Sequence, residues 1–340
     1  GYNIPIFELL SKLKHDVHVV HWDHKKLSKY KHNDTQNIKY YKRSELKLED
    51  IKNIANNINP DITVVSGWMD FDYLKTAKMI KSNGKSVVCC LDNHWTGSVK
   101  QYTLKFLIKI GISKLFFSYL WIPGLPQYQF AKKIGIKDSN ILFDMYCADT
   151  NLFNKAYKNY HKQKKSNYPH RFIFVGRLED VKGIKYLIKA WEELEEINHN
   201  WKLTIIGNGK YLQKLKQNST IEVLDFLQPD ELIKIVKDTG CYILPSLNEP
   251  WGVVVHEFAA AGLPLLLSDR IGSKSSFLID RYNGFTFKSK STSSLKNVIK
   301  KVIYTNDEKL YKMGKNSHTL SKRISIKTSV ANLLSLINNK

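Results

Sequence analysis

Two carboxylates are the first residues whose spacing suggests chemistry. Glu249 and Glu257 lie within Pro-Ser-Leu-Asn-Glu-Pro-Trp-Gly-Val-Val-Val-His-Glu-Phe-Ala-Ala-Ala-Gly-Leu-Pro, residues 245–264, with seven residues between them. Cys241 to Leu244 before this run and Leu265 to Ser268 after it read as short buried strands. Pro250 suits a helix start, Gly262 a helix stop, and Pro264 bars continuation. Glu249 is then expected on a loop at the carboxyl end of a strand. Glu257 is expected about two turns into the helix, able to face the same crevice. Gly252 lets backbone approach a ligand closely, and the free N–H groups of the first helical turn form an anion site. Carboxylates suit sugar and ribose hydroxyls, whereas N–H groups suit phosphate. The combination points to a ligand bearing both, a nucleotide sugar.

A second run supplies cations. In Phe174-Val-Gly-Arg-Leu-Glu-Asp-Val-Lys-Gly183 a strand ends at Gly176, and Arg177 and Lys182 follow on its loop. Open α/β sheets bind ligands at this edge. Arg can hold a diphosphate through two parallel hydrogen bonds and Lys as a point charge, opposite charge that grows on a leaving nucleotide. Ile205-Ile-Gly207-Asn-Gly209 and Asp225-Phe226-Leu227 also follow strands and are candidates for contact with the same ligand.

The run from Glu249 to Pro264 closely resembles the E-x7-E signature of retaining family 4 glycosyltransferases, and Gly176-Arg177…Lys182-Gly183 is similar to the Gly-Arg…Lys-Gly element of that family. The resemblance covers the second half of the chain strongly and the first half weakly. It implies the GT-B fold, two doubly wound Rossmann-like parallel-sheet domains facing each other across a cleft. It assigns the donor diphosphate to Arg177 and Lys182, the ribose hydroxyls to Glu257, and the neighbourhood of the donor sugar to Glu249. The backbone of Trp251, Gly252 and Val253 would meet sugar hydroxyls or phosphate, Gly176, Gly207 and Gly209 would lie near the donor, and Phe226 and Leu227 would pack on the base. Asp225 stands where the family more often has Gly, and Trp251 replaces the commoner Phe. His94, in Asp92-Asn-His-Trp95, matches a histidine that relatives place close to the reacting carbon, and Gly1-Tyr2-Asn3 would match a loop touching the donor phosphates. Retention in the family is ascribed to front-side attack, with the donor phosphate helping to take the acceptor proton. No cofactor and no metal are expected. Asp70-Phe-Asp72 has the D-x-D form of the other glycosyltransferase fold, where it holds a metal, but here it opens a helix, where Asp is favoured by capping and the helix dipole. His256 is expected on the helix face away from the ligand.

Composition bounds the partners. The 340 residues suffice for two domains, and the formal net charge is +22. Residues 1–165 hold 27 basic and 14 acidic side chains. A basic surface attracts polyanions. Only six of the 53 basic residues are Arg, the preferred reader of guanine edges, so nucleic acid is set aside in favour of an anionic membrane surface. The four cysteines form no C-x-x-C pair, which fits a reduced cytoplasmic compartment. The expected location is cytoplasmic, peripheral on the inner face of the membrane. The chain begins at Gly1, where a GT-B protein would already have a strand, so a truncated N-terminus is expected.

The elements that must position these residues alternate between strand-like and helix-like segments throughout, which predicts parallel sheets with right-handed crossovers. The expected division is an acceptor-binding domain over 1–160, a linker over Lys155 to His170, a donor-binding domain over 170–320, and a helix over 321–340 that crosses back. The function this implies is transfer of a sugar from a UDP- rather than GDP-sugar to a glycan or lipid-linked acceptor in cell-surface polysaccharide synthesis. A same-fold transferase with a soluble acceptor and a non-catalytic nucleotide-sugar-binding module remain alternatives.

Overall fold

The computed structural model describes residues 3–23, 34–35, 37–194 and 200–338. Gly1 and Tyr2, expected near the donor phosphates, lie outside these. The chain divides into two compact units. The first runs to Cys147 and resumes at Ile324, and the second is Ala148–Arg323.

The first unit begins with α1 (Ile4–Lys12), followed by β1 (Val17–His21) and β2 (Ile38–Lys42). Next come α2 (Leu48–Ile58), β3 (Ile62–Val65), α3 (Phe71–Ser82), β4 (Ser86–Cys90), α4 (Val99–Lys109), β5 (Tyr119–Trp121), α5 (Leu125–Lys133) and β6 (Ile141–Leu142). Its parallel strands form two sheets, β1-β2 and β3-β4-β5-β6. The apolar run of β4 explains its central place, since Val87, Val88 and Cys89 are wholly buried between layers. Ile6 of α1 and Val88 share a core with Val330, Leu333 and Leu336 of the last helix.

The second unit contains α6 (Thr150–Ser166), β7 (Arg171–Val175), α7 (Ile184–Glu192), β8 (Lys202–Ile206), α8 (Leu212–Lys216), β9 (Ile221–Leu224) and α9 (Pro229–Val236). It continues with β10 (Cys241–Leu244), α10 (Val253–Ala260), β11 (Leu265–Ser268), α11 (Lys274–Phe277), β12 (Gly284–Phe287), α12 (Thr292–Ile303) and α13 (Asp307–Ser321). The last helix, α14 (Ile326–Asn338), belongs to the first unit. The second unit's six strands are all parallel, in the order β12-β11-β10-β7-β8-β9. This is the dinucleotide-fold order, and it reverses between β7 and β10. Every residue of β10 and β11 is buried, as expected of strands covered on both faces.

The expected linker over Lys155 to His170 is corrected by α6, which is helical to Ser166, and the division between units falls at Cys147/Ala148. The segment has few aliphatic residues, so its helical stripe is made of other types. Phe153, Ala156, Tyr157 and Lys164 recur at helical spacing. Phe153, Ala156 and Lys164 are buried, and Tyr157 stacks on His318 of α13 with ring centres 3.7 Å apart. The Lys164 ammonium donates to the Thr239 carbonyl at 2.7 Å, while its stem covers apolar surface. The four cysteines are free thiols. Burial pushes Cys89 and Cys241 well above the ordinary thiol range.

Candidate functional site in the second unit

The reversal of strand order puts the loops after β7 and β10 side by side at the carboxyl edge of the sheet. The Leu247 N–H donates to the Val181 carbonyl at 2.8 Å and fixes that closeness. Lys182, from the β7 loop, then meets Glu249, from the β10 loop, in a direct ion pair. The two side chains are only 16% and 14% exposed, so water screens the pair weakly. Ser246 Oγ donates to the same Glu249 oxygen at 3.3 Å. Glu249 is also anchored through its backbone. Its N–H donates to the Arg270 carbonyl, and its carbonyl accepts from Gly272 N–H, both at 3.0 Å.

This anchoring corrects the expected start of the helix. The chain stays non-helical through Trp251, with Glu249 in an isolated bridge to Ile271, and α10 begins at Val253 rather than near Pro250. Glu257 therefore lies about one turn into α10, not two. Gly252 is the N-cap residue at φ +89°, a left-handed conformation that favours glycine. A Cβ there would stand 3.0 Å from Glu249 Cγ, so the absent side chain also leaves room for the carboxylate. Val255 N–H donates to the Gly252 carbonyl at 3.0 Å, whereas Val253 and Val254 N–H, at the first two helical positions, have no carbonyl one turn back to pair with, a ready anion site. Trp251 is buried as a whole residue, its ring set edge-on to Phe277 and its carbonyl accepting from Ser273 N–H at 2.9 Å, so neither its indole nor its carbonyl is open to a ligand.

Glu257 is partly buried, and its carboxyl is pushed up to about 7, chiefly by loss of water and secondarily by the Asp149 charge. His256, beside it, is wholly buried. Its Nδ1 accepts from Ala148 N–H at 3.3 Å, and its Nε2 faces the Ser321 carbonyl at 2.8 Å. The ring is thus a neutral connector between the first residues of the second unit and the end of α13. Burial lowers its pKa to about 4.

The other candidates on this edge occupy neighbouring loops. Gly176 ends β7, and its N–H donates to the Ile206 carbonyl at 3.0 Å. Gly207 follows β8, where a Cβ would overlap the Gly176 carbonyl oxygen, so only glycine lets the two loops pack. Gly209 lies against the Leu178 backbone in the same way. Phe226 and Leu227 follow β9 at the sheet's edge, with Phe226 half exposed. Arg177 is exposed and has no ion-pair partner among the described residues, unlike Lys182. The fold thus gathers Glu249, Lys182, Gly252, Val253, Glu257 and the three glycines at one edge of one sheet.

His94 belongs to the first unit, on the loop after β4. Gln101 organises that loop, donating to the His94 carbonyl at 2.9 Å and accepting from Thr96 N–H at 2.8 Å. Asp70 and Asp72 have structural duties. Asp70 caps α3 by accepting from Asp72 and Tyr73 N–H groups, and Arg43 pairs with Asp70 at 3.2 Å and Asp72 at 2.7 Å. The Arg43 guanidinium also lies over Trp22 and Tyr73. Two neighbours of the site escaped the sequence reading. Ser246 carried a signal, being inside the run that holds Glu249. Asp149 carried none, because only the fold brings it near Glu257.

Residues 157–319 match the family model for glycosyl transferases group 1. The second unit is a group 1 glycosyltransferase domain. An uncharacterized glycosyltransferase of Methanocaldococcus jannaschii is 35% identical over 130 residues, which is 36% of this chain and 33% of that protein. This chain therefore matches about a third of that relative's length. The capsular polysaccharide biosynthesis glycosyltransferase CapM of Staphylococcus aureus is 25% identical over 333 residues, 89% of this chain and 84% of that one. Anabaena HepE in complex with UDP has the same fold, with a TM-score of 0.69 at 15% identity over 89% of this chain and 86% of that chain. The fold is GT-B.

Proposed function

We propose that this chain is a retaining glycosyltransferase of family 4 type that moves a sugar from a nucleotide sugar, UDP-linked in preference to GDP-linked, onto a glycan or lipid-linked acceptor. The observation that carries the reading is the Lys182–Glu249 pair at the point where strand order reverses, beside the N-terminus of α10. A diphosphate at this edge meets Arg177, Lys182 and the free N–H groups of α10. Lys182, held by Glu249, and the backbone N–H groups are in place before the ligand arrives, so charge growing on the leaving nucleotide is stabilised with little reorganisation. Glu257, one turn into α10, accepts the ribose hydroxyls, and Glu249 accepts from the transferred sugar while orienting the Lys182 ammonium. With the donor phosphate taking the acceptor proton, no side-chain base is required. His94 is assigned to the acceptor side. The acceptor belongs to surface-polysaccharide synthesis, the process named for CapM, and the location is the inner face of the membrane. Among the described residues no helix is long and apolar enough to cross a membrane.

Calorimetric titration of wild type and Glu257→Ala with UDP- and GDP-sugars, with and without EDTA, tests this. One nucleotide should bind in EDTA and lose binding in the variant. Binding that requires a divalent cation would move the chemistry away from Arg177 and Lys182. A folded protein that binds no member of the panel would overturn the transferase reading.

A further inference from the structure

Helix α4 turns two faces in opposite directions. Leu104 and Ile108 pack on the core cluster around Leu120, Ile122 and Phe130. Across the helix, Val99, Tyr102, Phe106 and Ile110, spaced as one face, are 81%, 58%, 61% and 56% exposed. Leu115, in the turn that follows, is 51% exposed. A soluble surface seldom leaves so continuous an apolar row uncovered.

The charge around this row has one sign. Lys100, Lys105, Lys109 and Lys114 are all exposed, and none has an ion-pair partner among the described residues. On the helical wheel, Lys100 flanks one side of the apolar row and Lys105 and Lys109 the other. Lys133 lies over the Trp95 ring, which meets Tyr102 edge-on at 5.2 Å. From residue 93 to residue 137 the chain has seven lysines and no acidic residue. An apolar row bordered by unpaired lysines, in a stretch without a carboxylate, complements a surface that is apolar within and anionic outside.

We propose that α4 and the turn after it dock the first unit onto an anionic lipid bilayer. Val99, Phe106 and Ile110 enter the boundary between headgroups and acyl chains, and Lys100, Lys105, Lys109 and Lys114 meet the headgroup phosphates. This deepens the lipid-linked acceptor reading by naming the surface. Its test needs no turnover, so failed nucleotide binding would sink the transferase reading and leave this one standing.

The experiment is flotation of the full chain with vesicles of phosphatidylcholine alone or mixed equally with phosphatidylglycerol, with circular dichroism to verify folding. Wild type should float with the mixed vesicles, much less with the neutral ones, and less in high salt. Lys105→Gln/Lys109→Gln should weaken partitioning roughly thirtyfold, from about 1 kcal/mol per lysine. Phe106→Ser/Ile110→Ser should reduce it at unchanged charge. Lys234→Gln/Lys237→Gln, at exposed positions on α9 and just after it in the second unit, should retain it. The proposal is overturned if wild type ignores the mixed vesicles or if the α9 variant loses as much as the α4 variant. It is also overturned if Phe106→Ser/Ile110→Ser converts a dimer to a monomer while vesicle binding stays unchanged.

Discussion

Glu257 should be expensive to keep ionised, and replacing it should separate stability from binding. Its carboxyl moves from 4.5 to about 7 on folding, driven first by loss of water and then by Asp149. Between those values the unfolded chain has released the proton and the folded one still holds it, so stability falls as pH rises from about 4.5 to 7 and levels off above. At about 1.36 kcal/mol per unit, the full cost above pH 7 is on the order of 3 kcal/mol. Glu257→Gln removes the charge at nearly constant shape. It should therefore be more stable than wild type by on the order of 3 kcal/mol at pH 8 and by nearly nothing at pH 4.5. Urea unfolding followed by tryptophan fluorescence at pH 4.5, 6 and 8 measures the difference. In parallel, calorimetry with UDP should find binding that tightens from pH 6 to 8 in wild type, because ribose hydroxyls donate to the anion, and weak, pH-independent binding in the variant. A variant with wild-type stability at pH 8, or one equally stabilised at pH 4.5, would refute the desolvated carboxylate.

Three further predictions concern the same edge. Arg177→Ala should leave stability within about 0.5 kcal/mol, since the side chain is exposed and unpaired, yet weaken UDP-sugar binding roughly tenfold or more by calorimetry. A cycle of Lys182→Met, Glu249→Gln and the double variant should give a coupling of roughly 1–3 kcal/mol in urea unfolding, because either single change strands a weakly hydrated partner; additive effects would remove the pair's claim to positioning. Gly207→Ala should cost at least about 2 kcal/mol and lower the melting temperature in scanning calorimetry, because the new Cβ meets the Gly176 carbonyl; wild-type melting would mean that the β8 loop can move aside.

Most of the second unit was legible because its strands are short apolar runs between glycine- and proline-marked turns, and burial on both faces requires such runs. The errors have physical causes. Helix α6 hid because its buried stripe uses Phe153, Ala156, Tyr157 and the stem of Lys164 in place of aliphatic side chains. Helix α10 starts late because the backbone of Glu249 is held by Arg270 and Gly272, a tertiary constraint that overrides Pro250's preference for a first turn. His256 was expected merely to face away from the ligand. Two buried hydrogen bonds to segments 108 and 65 residues distant make it a connector, and separations of that size leave no periodicity to read.

The same limit explains what local motifs say about the site. Glu249 and Lys182 were each found from their own loop, but 67 residues separate them, and neither loop names the other. Their pairing follows from strand order. Chain order would place β10 at the far end of the row, beyond β9, whereas reversal sets it against β7. One topological choice thus brings a cation chosen for phosphate and a carboxylate chosen for sugar hydroxyls into contact. It follows that grafting either run alone onto a sheet of different order would reproduce the sequence signature without the site.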